Sequence, residues 1–133
     1  MRRVDWLPRL REVVKFHQAE PFAYGTNDCV LFAARCVDAM TDSNWLRYVR
    51  ERCSDEATSK AYIESEGSIE AGVTRRFGEP KGPLTARRGD LCLIETPWGP
   101  GLGVCLGTDV ATPGVEGLVK TPLERALKAW RVD

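Results

Sequence analysis

The first part of the chain repeats apolar residues with the period of an α-helix. Three- and four-residue spacings predict an amphipathic helix over residues 5–18, begun by Asp5 and carrying on one face Leu7, Leu10, Val14 and His17. A second helix is predicted from Cys29 to about Met40. Its apolar stripe comprises Cys29, Phe32, Cys36, Val37 and Met40. Weaker helical spacing continues over residues 45–79, where Asp55 and Ser68 are suited to begin two short helices.

The period changes after residue 88. Apolar and β-branched runs predict strands at 91–95 and 102–106, joined as an antiparallel hairpin by a turn over 96–101. Two further strands are expected at 109–111 and 117–121, then a short helix over 122–129 and an edge strand at 129–132. Helices followed by an antiparallel sheet define an α+β fold. We therefore predict one domain, residues 1–133, with N-terminal helices packed on a C-terminal sheet.

The charge balance narrows the range of partners. Nineteen basic and nineteen acidic side chains give a formal net charge of zero, so there is no overall attraction to nucleic acid or to an anionic membrane. No apolar run approaches the roughly 20 residues of a membrane span, and the first residues lack the apolar core of a signal peptide. We expect synthesis in the cytoplasm, no nucleic-acid partner and no membrane span.

The five cysteines do not indicate a disulfide framework or a metal site. Their number is odd, and no pair has the Cys-x-x-Cys spacing of zinc and redox sites. We expect no metal and no cofactor, and most of these cysteines should be small buried apolar residues.

Cys29 is the strongest candidate for chemistry. Gly25 provides a turn, Asn27 and Asp28 are good helix-capping residues, and the apolar run then begins. Cys29 therefore falls in the first helical turn, where free N–H groups and the helix dipole favour a thiolate. Cysteine nucleophiles often occupy such a position. The alternative is a buried structural cysteine at a helix start.

A cysteine nucleophile needs a base, and the chain has a single histidine, His17. Its place on the apolar stripe of the first helix favours a packed histidine, although a fold-back onto Cys29 would make it a substitute base. Asp90 and Asp109 are other candidate bases, but both fall in turns where a capping role is simpler. Tyr24 and Trp98 either line a binding groove near the thiol or pack over the helix end.

Three segments together carry a family resemblance. They are Asn27-Asp28-Cys29 opening a helix, Arg88-Gly89-Asp90 leading into a strand, and the following strand Gly101-Leu102-Gly103-Val104-Cys105-Leu106-Gly107. In this order and spacing they resemble the NlpC family of papain-like cell-wall cysteine peptidases, over about residues 21–111. The whole chain, with its closing residues 129–132, is similar to small NlpC-type proteins that phages encode among their tail-tip genes.

The resemblance implies a papain-like fold and a set of site positions. Cys29 matches the family's nucleophile and Asp28 the acidic residue before it, whereas the histidine position is Gly101 and the orienting position falls near Val110. Two of the three catalytic roles thus have no suitable side chain. Tyr24, Asp28 and Trp98 are the binding residues we expect around the thiol.

This departure from the family pattern favours a structural role over an enzymatic one. We expect a phage tail-tip or tail-assembly protein, located in the virion, whose partners are other tail-tip proteins. The competing hypothesis is an active cysteine peptidase or amidase that cuts peptidoglycan during genome entry. In that case Cys29 is the nucleophile, and His17 or a residue from a partner is the base.

Overall fold

A computed structural model describes all residues from Met1 to Asp133. Five helices come first in the chain: α1 (Trp6–His17), α2 (Cys29–Thr41), α3 (Trp45–Arg50), α4 (Glu56–Glu66) and α5 (Ile69–Phe77). Five strands follow: β1 (Leu91–Thr96), β2 (Gly99–Cys105), β3 (Asp109–Gly114), β4 (Gly117–Pro122) and β5 (Lys128–Trp130). The predicted α+β order, with helices before the sheet, is confirmed.

Side-chain caps set where three of the helices begin. Asp28 accepts a hydrogen bond from the Leu31 backbone N–H at 2.9 Å, and Ser68 caps α5 in the same way through Ala71. Asp55 and Thr58 form a reciprocal capping box at the start of α4. Asp5 is different, because its carboxylate accepts from Arg3 at 2.9 Å and makes no cap bond to α1. The predicted role of Asp5 as a cap is therefore wrong.

The strands form one antiparallel sheet in the order β4-β3-β2-β1-β5. Its two faces carry different apolar clusters because side chains alternate along each strand. Leu91, Leu93, Leu102 and Val104 pack with the helices. The opposite face packs under the C-terminal segment, and its members are Cys92, Ile94, Cys105, Val110, Leu123, Ala126 and Ala129.

Helix α2 lies at the centre of the molecule. Leu31, Phe32, Ala33, Ala34 and Cys36 have no exposed surface, and together they cover more than one face of the helix. A helix that is apolar nearly all round is one buried between other elements. Here α1 and α3 pack on it from one side and β2 from the other. The position of α2 decides where its first residue, Cys29, meets the sheet.

A buried carboxylate ties the two ends of the chain to the start of β1. Asp90 Oδ1 accepts from Arg2 Nη2 at 2.8 Å and from the Val132 N–H at 3.1 Å. Asp90 Oδ2 accepts from the Arg87 N–H at 2.9 Å. The simpler interpretation of Asp90 as a capping residue is wrong, because it caps no helix and instead joins Arg2 and Val132 to the turn before β1.

Two predicted boundaries near the C-terminus are wrong. The turn between β1 and β2 contains only Pro97 and Trp98, because Thr96 Oγ1 accepts from the Trp98 N–H and donates to the Gly99 carbonyl at 2.6 Å. The helix expected over 122–129 is a single 3-10 turn at Leu123–Arg125. The Leu127 N–H donates to the Leu93 carbonyl at 2.8 Å, which draws the chain out as edge strand β5.

Every element belongs to this one sheet and its helical layer. None of the helices is long and apolar enough to cross a membrane.

Gly103 tests the close contact between β2 and β3. A Cβ atom there would lie 2.4 Å from Val110 Cγ1 and 2.6 Å from Thr112 Oγ1. We expect Gly103→Ala to lower the free energy of unfolding by about 1–3 kcal/mol, the usual cost of overpacking, in chemical denaturation. Gly82→Ala is the control, since a Cβ at Gly82 meets nothing within 4 Å. Equal stability of both variants would contradict this packing.

Candidate functional site

The largest ligand-sized cleft lies where the start of α2 meets the sheet. Its volume is about 680 Å³, within the range of small-molecule and peptide-side-chain sites. The α2 start contributes Asp28 and Cys29, and the turn and first residues of β2 contribute Trp98 and Gly101. Helix α4 forms the remaining wall with Glu56, Ser59, Lys60, Tyr62 and Ile63.

The loop before α2 is built to hold Cys29 in place. Ala23 and Asn27 bond each other in both directions, N–H to carbonyl, at 3.1 and 2.7 Å. Gly25 lies between them with φ +80°, and a Cβ there would lie 2.2 Å from the Ser54 carbonyl oxygen. Only glycine fits both the conformation and the contact. The loop is thereby locked against the segment that precedes α4.

Asp28 completes the helix start. Its Oδ1 accepts from Leu31 N–H at 2.9 Å and its Oδ2 from Gly25 N–H at 3.2 Å. The carboxylate therefore fixes both the helix and the loop before it. Burial raises its pKa above the ordinary value, and the backbone donors offset part of this rise.

The environment of Cys29 opposes thiolate formation. Burial raises its pKa to about 11, the neighbouring Asp28 carboxylate adds to the rise, and the backbone N–H groups of Leu102 and Val30 counter it only in part. The expectation that the helix dipole favours a thiolate here is therefore wrong. Desolvation and a like charge outweigh a dipole whose effect at a helix end is about 0.3–1 kcal/mol.

A proline ends the pairing of β2 with β3 beside Cys29. The ladder covers only Val104 with Ala111 and Cys105 with Val110. The next donor position on β3 belongs to Pro113, which has no N–H. The Leu102 carbonyl instead accepts from Thr112 Oγ1 at 3.3 Å. Beyond this point both strands line the cleft.

The two predicted aromatic residues lie on the cleft in different settings. The Tyr24 ring packs edge-on against Phe22 with centroids 4.9 Å apart, and Lys60 Nζ lies 5.9 Å from its centroid. Trp98 is 75% exposed at the tip of the β1–β2 turn. The alternative in which Trp98 packs over the helix end is therefore wrong. Tyr24, Asp28, Cys29 and Trp98 thus share one cleft.

His17 lies elsewhere. It is 5% exposed, its Nδ1 is 2.9 Å from the Val13 carbonyl, and its ring packs against Phe16 and Phe32 at centroid distances of 5.1 and 5.5 Å. It does not line the cleft. These contacts are those of the packed histidine that its helical position predicted.

None of the other positions that the sequence suggested for the base or its orienting partner serves the cleft. A Cβ at Gly101 would lie 2.9 Å from Thr96 Cγ2, so any side chain at this position would collide with Thr96 unless Thr96 moved. Val110 is fully buried on the face of the sheet away from α2. The Asp90 carboxylate already accepts hydrogen bonds from Arg2 and from backbone N–H groups. Neither Asp90 nor Asp109 lines the cleft.

Sequence reasoning missed the α4 wall. Glu56, Ser59, Lys60 and Ile63 recur at three- and four-residue spacings, which places them on one helical face. The alternating charges of residues 47–70 by themselves indicate only a solvated helical face. Nothing in the sequence showed that this face turns toward Cys29, since that depends on how α4 packs. The chain has no group of three or more His, Cys, Asp or Glu side chains arranged to hold a metal ion.

Comparison with known families gives one match. Residues 1–132 match the sequence profile of a family described as Domain of unknown function (DUF6950). The chain belongs to that family. The match covers the helical layer and the whole sheet, so the cleft lies inside the DUF6950 domain. No curated protein sequence matches the chain.

The DUF6950 cleft combines a protonated thiol with paired or hydrogen-bonded carboxylates. Glu56 Oε2 bonds Lys60 Nζ at 2.8 Å, and Asp28 accepts from two backbone donors. The cleft can therefore bind a ligand, but it holds no imidazole to deprotonate Cys29.

The titration of Cys29 is a direct test of this environment. It is partly exposed, whereas the other four cysteines are buried. Because thiolate is the reactive form, we expect alkylation by iodoacetamide to rise about tenfold per pH unit from pH 7 to 9, without a plateau. Labelling followed by mass spectrometry measures this, and Cys29→Ser should abolish it. A plateau below pH 8 would show an activated thiol and contradict the assignment.

Asp28→Asn separates charge from capping in the same assay. Asparagine caps a helix as well as aspartate does, but it removes the negative charge beside the thiol. We expect alkylation at pH 8 to become about two- to tenfold faster. The thermal midpoint should fall, because the amide nitrogen of asparagine cannot accept the Gly25 N–H that Asp28 Oδ2 accepts.

Proposed function

We propose that this chain is an NlpC-type, papain-like domain that has lost hydrolytic activity and acts as a structural component of a phage tail tip or of tail assembly. The observation that carries the proposal is the cleft itself. It presents a cysteine at a helix start and contains no histidine. A cysteine in this place matches the nucleophile position of the NlpC family. The phage assignment depends on the resemblance of the chain to tail-tip proteins of this type.

The layout of the fold supports the papain-like part of the proposal. Helix α2 begins with the cysteine and packs on an antiparallel sheet. Strand β1 follows the Arg88-Gly89-Asp90 turn and pairs with β2, whose Leu102 N–H lowers the pKa of the Cys29 thiol. This is the arrangement expected from the three motif segments. The α+β order alone is shared by many folds and would not distinguish this one.

Two physical arguments disfavour hydrolysis. A positioned general base contributes about 10²–10⁴-fold to rate, and His17 is packed in the core outside the cleft. A thiol with a pKa of about 11 is also overwhelmingly protonated at neutral pH. Without a base or a depressed pKa, Cys29 has no route to an acyl-enzyme intermediate.

A structural role uses the same surface differently. A vacant cleft flanked by exposed apolar residues such as Trp98 and Val115 suits contact with another protein. A formal net charge of zero is also compatible with life inside an assembly. We propose that the partners are neighbouring tail-tip proteins, and that the chain is made in the host cytoplasm and resides in the virion.

The second candidate is an active cysteine peptidase or amidase of peptidoglycan. The observation that favours it is that Cys29 is partly exposed in a cleft of ligand size. A partner that inserts a base beside Cys29 would complete the site.

Digestion of purified peptidoglycan separates the two candidates. We expect no released fragments, by mass spectrometry, from wild type, Cys29→Ser or His17→Gln, because no histidine lines the cleft. An active NlpC-type enzyme serves as the positive control. Fragments from wild type that disappear in Cys29→Ser would establish a hydrolase, and their loss in His17→Gln as well would identify the base.

Location in the particle tests the structural role. A bacterium that carries this coding sequence in a prophage is induced, and purified particles are labelled with antibody against the chain. We expect label at the tail tip, or tailless particles on deletion if the chain acts only in assembly. Normal, unlabelled, infectious particles from the deletion strain would contradict the proposal.

A further inference from the structure

One polar group in the cleft has no use in the fold. Ser59 is 4% exposed, and its Oγ has no oxygen or nitrogen partner in the protein; only the Cys53 thiol, a weak hydrogen-bonding group, lies beside it. It lies on α4 in the wall of the cleft, near Cys53. A buried hydroxyl without a partner destabilises a protein, so alanine would be the better residue unless something else bonds it. The hydroxyl is therefore suited to a polar group of a bound molecule.

A second unused group belongs to the backbone of β2. Residues of an antiparallel strand point their N–H and C=O groups alternately to one neighbour and the other. The N–H and the C=O of Cys105 both bond the segment that leads into β1. By this alternation the backbone polar groups of Leu102 and the carbonyl of Pro100 point the other way, toward β3. The ladder with β3 has ended there. The Pro100 carbonyl thus faces the cleft as an acceptor without a strand partner.

The charges of the cleft restrict what binds. Lys60 is offset by Glu56 at 2.8 Å, and Asp28 is the only other charged side chain that lines the cleft. No free cation lines the cleft to receive an acidic ligand. A bound molecule must therefore be neutral or basic.

The remaining wall is apolar and partly open to solvent. Tyr24 and Ile63 line it, and Trp98 and Val115 are 75% and 70% exposed at its edge. Exposed aromatic and aliphatic side chains beside a free strand carbonyl are the features of a site that takes an extended peptide.

We propose that the cleft is the docking site for an extended segment of another polypeptide that is uncharged or basic. The segment donates a backbone N–H to the Pro100 carbonyl, packs apolar side chains against Tyr24 and Trp98, and places a hydroxyl or amide group against Ser59 Oγ. This inference rests on the proposed structural function and specifies the chemistry of the partner.

The test uses the full chain and a displayed library of random twelve-residue peptides. Selection is run on the free protein and on protein whose Cys29 carries an N-ethylmaleimide adduct that fills the cleft. We expect peptides that bind the free protein and not the adduct. They should be rich in apolar residues, contain Ser, Thr, Asn or Gln, and lack Asp and Glu.

Ser59→Ala, read out in two ways, distinguishes binding from folding. We expect the dissociation constant of a selected peptide, by calorimetry, to rise about fivefold, the effect of one neutral hydrogen bond. The thermal midpoint of the free variant should stay the same or rise, because an unpartnered buried hydroxyl is removed. The control is Ser65→Ala. Ser65 is on the same helix but does not line the cleft, and its exposed Oγ donates to the Tyr62 carbonyl. Peptide binding by this variant should equal that of the wild type.

Other results would overturn the inference. They are acidic selected peptides, peptides that bind the adduct equally well, no selected peptide, or unchanged binding by Ser59→Ala. Self-association that the adduct abolishes, measured by sedimentation, would make the occupant a second copy of this chain. These results are separate from peptidoglycan digestion, in which Cys29-dependent fragments would refute the proposed function instead.

Discussion

The burial of most of helix α2 between the other helices and the sheet is the constraint on which the rest of the structure depends. Leu31, Phe32, Ala33 and Ala34 are inaccessible to solvent, held between the other helices and strand β2. Small residues on the helix let it approach the sheet closely, and Gly103 lets β2 and β3 approach each other. Since the helix cannot slide without exposing apolar surface, its first turn is fixed against the sheet.

The same packing explains why Cys29 sits in a cleft yet is poorly activated. Asp28 must cap the helix and hold the Gly25 loop, so a carboxylate lies directly beside the thiol. The sheet and α4 enclose the thiol, which is only partly exposed to water. Both effects favour the protonated form. A cysteine at a helix start is thus a nucleophile only when its surroundings add a cation or a base, and here the single histidine lies at the end of α1, packed against Phe32.

Much of the fold followed from local pattern. The helices starting at Cys29, Glu56 and Ile69 were predictable because their caps and apolar periods agree. The C-terminal segment was not, because residues 122–129 have no strong period of their own and the Leu127 hydrogen bond to β1 decides their course. Of the cleft residues, those near Cys29 in sequence or in the motif segments were expected, and Ser59 was not.

The sequence by itself determined the α+β order, the place of Cys29 in a first helical turn, and the absence of a second histidine to serve it. These are properties of composition and of contacts between residues close in the chain. Only the tertiary structure decided that α4 faces the thiol, that Pro113 ends the ladder beside it, and that Cys29 has a pKa of about 11. Desolvation and long-range pairing depend on which surfaces meet, and no local pattern specifies that.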